Sequence, residues 1–375
     1  MIPRLLEEPL RKRWNSGKAL VVMGPRQVGK TTLLRKLCAE HGQYLLLNAD
    51  EADVRFQLEN ANVARLRQII GPNQVVFLDE AQRVKNIGLT LKLITDQLPD
   101  VRLLVSGSSS FDLANEINEP LTGRKFEFRL YPISWQELVG SVGFLEARRQ
   151  LETRLLYGFY PDVVTSVGDE RAVLQQLSSS YLYKDLLTFG GIRRPELLDK
   201  LLVALALQLG SEVSYNELAR TLQIDRATVE NYIGLLEKAF IVFRLQPFSR
   251  NLRSEISSSR KVYFYDNGLR NAILADFKSL GLRADVGALW ENFLVSERQK
   301  VLHYNQIWSR SYFWRTHQQQ EIDYLEEQDG MLRAWEFKWN PNAKTRFPKT
   351  FVETYKPIQA DVIHRDNFES FVGVL

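Results

Sequence analysis

Residues 24–31 read GPRQVGKT, a G-x-x-x-x-G-K-[ST] pattern whose residue types suit one task, holding the phosphates of a nucleotide. The binding set is Gly24, Pro25, Arg26, Gln27, Val28, Gly29, Lys30, Thr31 and Thr32. Its glycines let the backbone wrap closely round an anion, with amide N–H groups turned inward. Lys30 offers a point charge to the β/γ-phosphates, and Thr31 offers an oxygen to Mg2+. Downstream, VVFLDEAQ (75–82) ends an apolar run in two acids. If the strand continues, alternation points Asp79 and Glu80 to opposite sides. Asp79 can then hold Mg2+ through its water shell, and Glu80 can polarise an attacking water. In LLVSGSSS (103–110), Ser106 and Ser108 are candidate γ-phosphate sensors, although a plain turn accounts for them as well. Arg124 can neutralise transition-state charge, in cis or across a subunit interface, or it can form a surface salt bridge.

These groups need a rigid scaffold. Apolar runs at Ala19–Met23, Tyr44–Asn48, Val75–Leu78 and Leu103–Ser106 alternate with helical patterns at Lys30–Ala39, Val54–Ile70 and Val84–Leu98. That alternation over residues 1–140 implies an α/β domain, a parallel sheet with helices on both faces. A whole strand separates the two phosphate-site motifs in sequence. Together with the glutamate after Asp79, it is the mark of the additional-strand ATPases, which favours ATP as the nucleotide.

Residues 141–283 read as a helical segment followed by helix, turn, helix and strand, with Asp225 as the cap of the second helix. Arg226, Thr228 and Asn231 lie on the early, polar side of that helix and can contact DNA bases or phosphates. Glu230 and Glu237 interrupt any basic stripe, so packing as a lid is an equal reading.

Residues 284–375 form a third part. EIDYLEEQDGMLRAWEFKW reads as a β-hairpin turning at Asp329-Gly330. That turn sets Asp323 opposite Glu336 and Glu321 opposite Lys338, all four on one face, with opposed Cβ atoms about 4.5–5.5 Å apart. Two such carboxylates can share a hard cation. Lys338 can orient water or meet a phosphate, unless Glu321 ties it up. Arg310, Arg315, Lys344, Arg346 and Lys349, interleaved with Trp308, Trp314 and Phe347, suit a nucleic-acid strand. An exposed sheet face with charges paired across strands would look the same.

The totals set limits. The chain has 375 residues and a net charge of +4, a balance that permits nucleic-acid binding without demanding it. No apolar run reaches membrane-spanning length, and the charged N-terminus does not read as a signal peptide. With Cys38 the only cysteine, no intrachain disulfide or cysteine–zinc cluster can form, which fits a cytoplasmic home.

GPRQVGKTTL, LDEAQ, SGSSS and TGRKFEFRLYPISWQEL together resemble the bacterial and archaeal AAA-type ATPases that carry a C-terminal domain of unknown function, DUF4143. SYNELARTLQIDRATVENYIGLLEKAFIV, YFYDNGLRNAI, GALWENFLVSE and the EID…EFK pair extend the resemblance over nearly the whole chain. It implies an ATPase domain, a winged helix and a PD-(D/E)XK nuclease-like fold of the restriction-endonuclease type. Glu291, Asp323, Glu336 and Lys338 match the nuclease pattern, with Glu291, Asp323 and Glu336 as Mg2+ ligands. Three functions follow as expectations: an ATP-hydrolysing DNA-processing enzyme with a Mg-dependent nuclease site, an ATP-switched regulator or scaffold with an inert nuclease-like domain, or an oligomeric DNA helicase or branch-migration motor. ATP/ADP, DNA and a second copy of the chain are the partners these readings call for.

Overall fold

The computed structural model describes residues 2–107, 120–188, 194–249, 260–316 and 318–374. Two compact units divide the chain: Met1–Ile133 with Lys238–Phe240, and Ser134–Glu237 with Ile241–Leu375.

The first unit begins with helix α1 (Glu7–Arg13) and then alternates β1 (Ala19–Met23), α2 (Lys30–Ala39), β2 (Leu45–Asn48), α3 (Ala52–Leu58), α4 (Val63–Ile70), β3 (Val75–Asp79), α5 (Ile87–Gln97), β4 (Arg102–Gly107) and β5 (Lys125–Arg129). Its five strands lie parallel in the order β2-β3-β4-β1-β5. Every residue of β1 and β3 is buried, as a parallel sheet covered on both faces requires. The strand that separates β1 from β3 in space is β4, whereas β2 lies at the sheet edge. The helix expected over 54–70 is two: Asn60 adopts a left-handed φ of 53° and breaks the chain direction. Asn62 then caps α4 by accepting the Arg65 N–H.

The second unit opens with five helices, α6 (Trp135–Val142), α7 (Phe144–Arg149), α8 (Leu151–Tyr157), α9 (Pro161–Thr165) and α10 (Glu170–Thr188). There follow α11 (Pro195–Leu207), β6 (Glu212–Val213), α12 (Tyr215–Leu222), α13 (Arg226–Lys238), β7 (Val242–Pro247), β8 (Arg260–Phe264), α14 (Asn267–Ile273) and α15 (Val286–Tyr304). The last elements are β9 (Arg310–Arg315), β10 (Glu321–Gln328), β11 (Met331–Phe337), α16 (Lys349–Tyr355) and β12 (Gln359–Ile363). All seven strands form one mixed sheet, β12-β11-β10-β9-β7-β8-β6. The expected boundary at residue 283/284 therefore falls between strands that share this sheet, joined where β7 runs parallel to β9.

The segment YFYDNGLRN ties the unit together. Asp266 caps α14 through the Leu269 N–H (3.0 Å) and also accepts the Phe159 N–H (2.7 Å). Asn267 donates to the Leu289 carbonyl, Asn271 to that of Leu156, and Arg270 to that of Ala206. Asn292 of α15 pairs with both backbone groups of Phe264 in β8. Such close approach leaves no room for a side chain at residue 268, where a Cβ would stand 2.0 Å from the Tyr157 carbonyl oxygen. Gly268→Ala should therefore destabilise the protein by ~3 kcal/mol or more. Gly287→Ala, where a Cβ meets nothing within 4 Å on α15, should gain ~0.5–1 kcal/mol. Thermal unfolding of the two variants checks this, and equal midpoints would mean the close approach relaxes without cost.

Candidate functional site

Strand β1 delivers the phosphate loop. A Cβ at residue 24 would stand 2.0 Å from the Leu130 carbonyl oxygen, so only glycine lets the loop leave the sheet beside β5. Gln27 (φ 59°) and Gly29 (φ 92°) are left-handed, and this alternation of hand turns successive amides to one side as an anion-binding nest. Val28 is buried and pins the loop, while Arg26, Gln27, Gly29, Thr31 and Thr32 retain exposure. Lys30, at the start of α2, donates to the carbonyls of Gly24 (2.8 Å) and Pro25 (2.7 Å), which holds its ammonium at the loop.

Thr31 Oγ1 donates to the Asp79 carboxylate, 2.9 Å to Oδ2. Ser106, at the end of β4, also donates its hydroxyl to Asp79 and accepts the Glu80 N–H. Thr31, Asp79 and Ser106 thus converge as hard oxygen donors, a set that fits Mg2+. The strand does not continue to Glu80 as alternation assumed. Glu80 turns into the left-handed region (φ 54°), and its carboxylate accepts from the Gln82 side chain. Ser108 lies outside the described residues.

Arg124 stands elsewhere. Its carbonyl accepts the Ala19 N–H at the start of β1, so it sits at the end of the parallel sheet opposite the phosphate loop. Its guanidinium pairs with Asp96 at 2.6 Å. The expected reach to a phosphate in cis is corrected by this placement.

Sequence reasoning passed over Arg4. Its guanidinium bridges the carbonyls of Val28 and Tyr131, each at 2.6 Å. A trans peptide points its C=O and N–H in opposite directions, so fixing the Val28 oxygen outward aims the Gly29 N–H into the loop. No motif carries that signal, because the donor lies 24 residues upstream of its acceptor. Gln82 was likewise missed, although it stands two residues beyond Glu80 in LDEAQ.

The second unit brings the C-terminal acids together around lysines. In the β10–β11 hairpin Gln328 faces Met331 and Tyr324 faces Trp335, the register expected from the Asp329-Gly330 turn. Against β9, the register of β10 shifts by one residue between Ile322 and Leu325. Asp323 accepts the Phe337 N–H (2.8 Å), and Lys338 contacts both Glu336 (2.8 Å) and Asp323 (3.4 Å). Glu321 does not tie up Lys338: it pairs with Lys261 of β8 at 2.6 Å and lies 3.9 Å from Arg315. Lys261 also holds Glu291 of α15 at 2.9 Å, and Tyr263 donates to the same Glu291 oxygen at 2.6 Å.

Burial pushes the Glu291 carboxyl up to about 7, against the pull of Lys261, and Asp323 adds to the rise. Burial and Asp323 likewise push Glu336 up to about 7, against Lys338. For Lys261, burial opposes the charge, but Glu291, Asp323 and Glu321 outweigh it and its pKa stands above the ordinary value. A divalent cation does not fit this arrangement as it stands, since ammonium groups already hold Glu291, Glu321, Asp323 and Glu336. Among the described residues no group of three acids, histidines or cysteines is set to hold a metal.

On α13, Arg226 and Asn231 are exposed, but the Thr228 hydroxyl is engaged by Asp225 at 2.6 Å. Of the aromatic residues expected beside basic ones, Trp314 is buried in the core and Phe347 packs against it, whereas Trp308 is 92% exposed. Arg315 lies 3.5 Å from Glu212, and Arg310, Lys344, Arg346 and Lys349 are exposed.

Removing Arg4 should loosen the phosphate loop without touching nucleotide. Loss of a charge-assisted hydrogen-bond pair costs roughly 1.5–3 kcal/mol, so Arg4→Ala should weaken ATP and ADP alike about 10-fold or more. Arg4→Lys should recover part of that. Titration with a fluorescent nucleotide measures both, and unchanged affinity in Arg4→Ala would remove the role.

Residues 16–139 match the family profile "AAA domain", residues 148–281 a domain of unknown function, DUF8612, and residues 286–371 a domain of unknown function, DUF4143. An uncharacterized protein of Mycobacterium tuberculosis is 29% identical over 339 residues, 88% of this chain and 72% of that one. An uncharacterized protein of Methanocaldococcus jannaschii is 23% identical over 372 residues, 92% of this chain and 81% of that one. Among solved structures, a Walker-type ATPase of Pyrococcus abyssi superposes with a TM-score of 0.53 at 16% identity, covering 73% of this chain and 96% of that one. That likeness is one of fold. The chain thus carries an AAA-type P-loop ATPase domain followed by a C-terminal DUF4143 domain, the pairing its sequence resembles.

Proposed function

We propose that this chain is an ATP-hydrolysing switch, in which the nucleotide at the phosphate loop sets the state of the second unit. The observation that carries its hydrolytic half is the chain of contacts from Thr31 through Asp79 and Ser106 to Glu80, and the coupling to the second unit is what the exchange experiment below tests. In this reading residues 24–32 bind the phosphates, Lys30 neutralises charge on the β/γ-phosphates, and Thr31 and Asp79 hold Mg2+. Mg2+ supplies further neutralisation of the phosphate oxygens. Glu80 polarises the water whose oxygen attacks the γ-phosphorus and accepts its proton. The bond to the β-bridging oxygen breaks, leaving ADP and phosphate. Gln82 holds the Glu80 carboxylate in place.

A second reading is magnesium-dependent DNA cleavage by Glu291, Asp323, Glu336 and Lys338, with Arg226 and Asn231 of a winged helix on the DNA. Its motive is the convergence of Asp323 and Glu336 within reach of one lysine, and it requires Lys338 to release those acids, and Lys261 to release Glu291, to the metal. A panel of labelled single strands, duplexes, forks and four-way junctions with Mg2+ or Mn2+ tests it. Cleavage lost in both Asp323→Asn and Lys338→Ala would establish the nuclease. An oligomeric motor would need Arg124 to leave Asp96 and act in trans, and sizing of ATP-bound Glu80→Gln addresses that.

For the switch, Glu80→Gln should keep ATP binding while turnover falls at least ~10²-fold. Lys30→Ala should lose binding itself. Hydrogen exchange of the second unit should differ between ATP-bound Glu80→Gln and the ADP-bound protein. Identical exchange in the two states would remove the switch and leave only an ATPase.

A further inference from the structure

Lys261 has no role in any motif, yet it occupies the centre of the C-terminal acids. Its residue is 0% exposed on β8. Its ammonium stands 2.9 Å from Glu291 on α15 and 2.6 Å from Glu321 on β10. Arg315 continues the row from Glu321 to Glu212 of β6, and Lys338 closes it on Asp323 and Glu336. Each cation meets acids from different elements.

A divalent ion at this place would need six or more oxygen ligands at roughly 2.0–2.6 Å. It would have to share oxygens that Lys261 and Tyr263 already contact, and its charge would face the ammonium across them. Lys261 has no way out. Its backbone lies between β7 and β6, opposite Leu245 and Glu212, and its ammonium sits 5.6 Å from the Phe313 ring centre. Swinging it aside would leave a buried, unpaired charge.

We propose that Lys261 is a built-in cation standing where a divalent metal would: it holds Glu291 and Glu321, Lys338 holds Asp323 and Glu336, and together they form an ionic seam joining strand, helix and hairpin. The second unit then holds its shape without metal and does not cut by a metal-dependent route. The inference is independent of the ATPase reading, which concerns the other unit, and it stands against the magnesium-dependent cleavage reading.

Mn2+ binding to the nucleotide-free full-length protein tests it, followed by loss of the free-ion electron paramagnetic resonance signal and by thermal unfolding. Wild type, Glu291→Gln and Asp323→Asn should give the same Mn2+ titration, and Mn2+ should not raise the wild-type midpoint. Lys261→Met removes the cation while keeping the bulk. It should melt lower than wild type, take up one additional Mn2+ and recover stability with it. Lys261→Met/Glu291→Gln should lose that uptake. Wild-type binding abolished by Glu291→Gln or Asp323→Asn would overturn the proposal, and so would a folded Lys261→Met that takes up no Mn2+. If Lys261→Met does not fold, the comparison of wild type with the two acid variants still decides.

Discussion

An ammonium group taken wholly out of water costs several kcal/mol unless carboxylates meet it in good geometry. Lys261 is so placed, and the second unit is arranged round that requirement. Its partners come from α15 and β10, so the helix and the hairpin can take only positions that bring their acids to β8. The same demand recurs nearby. Arg283 and Arg270 converge on Asp285, and although burial opposes it, their hydrogen bonds hold that carboxyl down to about 2. Glu297 and Lys300, both buried on α15, pair at 2.6 Å, and Glu297 also accepts the Trp135 N–H. Pairs of this kind add less stability than an apolar core of equal volume, but losing one partner is severe. They therefore select one arrangement of elements against its neighbours.

The first unit is organised differently. Its site is built from backbone at the ends of buried parallel strands, where helix starts and strand ends present amides and carboxylates together. Lys30, Thr31, Asp79 and Ser106 need only the β3-β4-β1 order to meet. Arg4 reinforces the loop from outside by fixing one carbonyl.

This contrast explains what could be read from sequence. The phosphate loop was legible because its groups lie within nine residues and follow an apolar strand. The hairpin register was legible because Asp329-Gly330 sets it locally, with φ of 52° and 76°. The helix break at Asn60 was hidden, because helical periodicity carries through residues 54–70 while a single left-handed residue interrupts the helix. The partner of Glu321 was out of reach: Lys261 lies 60 residues earlier, on a strand that joins the same sheet only through β7 and β9. The register shift of β10 against β9 between Ile322 and Leu325 was also out of reach, since a one-residue insertion leaves no compositional trace. For Arg124 the sequence left a phosphate contact and a surface salt bridge both open, because adjacency to a strand does not say which end of the sheet it occupies; the pair with Asp96 is the salt bridge.

ATP and ADP differ by one phosphoryl group, and a ligand can shift a conformation only through contacts that differ between states. On the proposed reading, only groups reaching the γ-phosphate can tell the two apart, and among the described residues the candidates are Lys30, Glu80 and Ser106. Lys30 is anchored to the carbonyls of its own loop, and Ser106 to Asp79. Glu80 is held differently. Its left-handed backbone and its bond to Gln82 tie it to the short turn Ala81–Arg83 that leads toward α5. A change at the Glu80 carboxylate must alter the Gln82 contact, and with it that turn. Arg83 in turn lies 3.2 Å from Asp50, just beyond β2. The path by which hydrolysis could leave the phosphate site thus starts at the glutamate that polarises water, and chemistry and signal share one side chain.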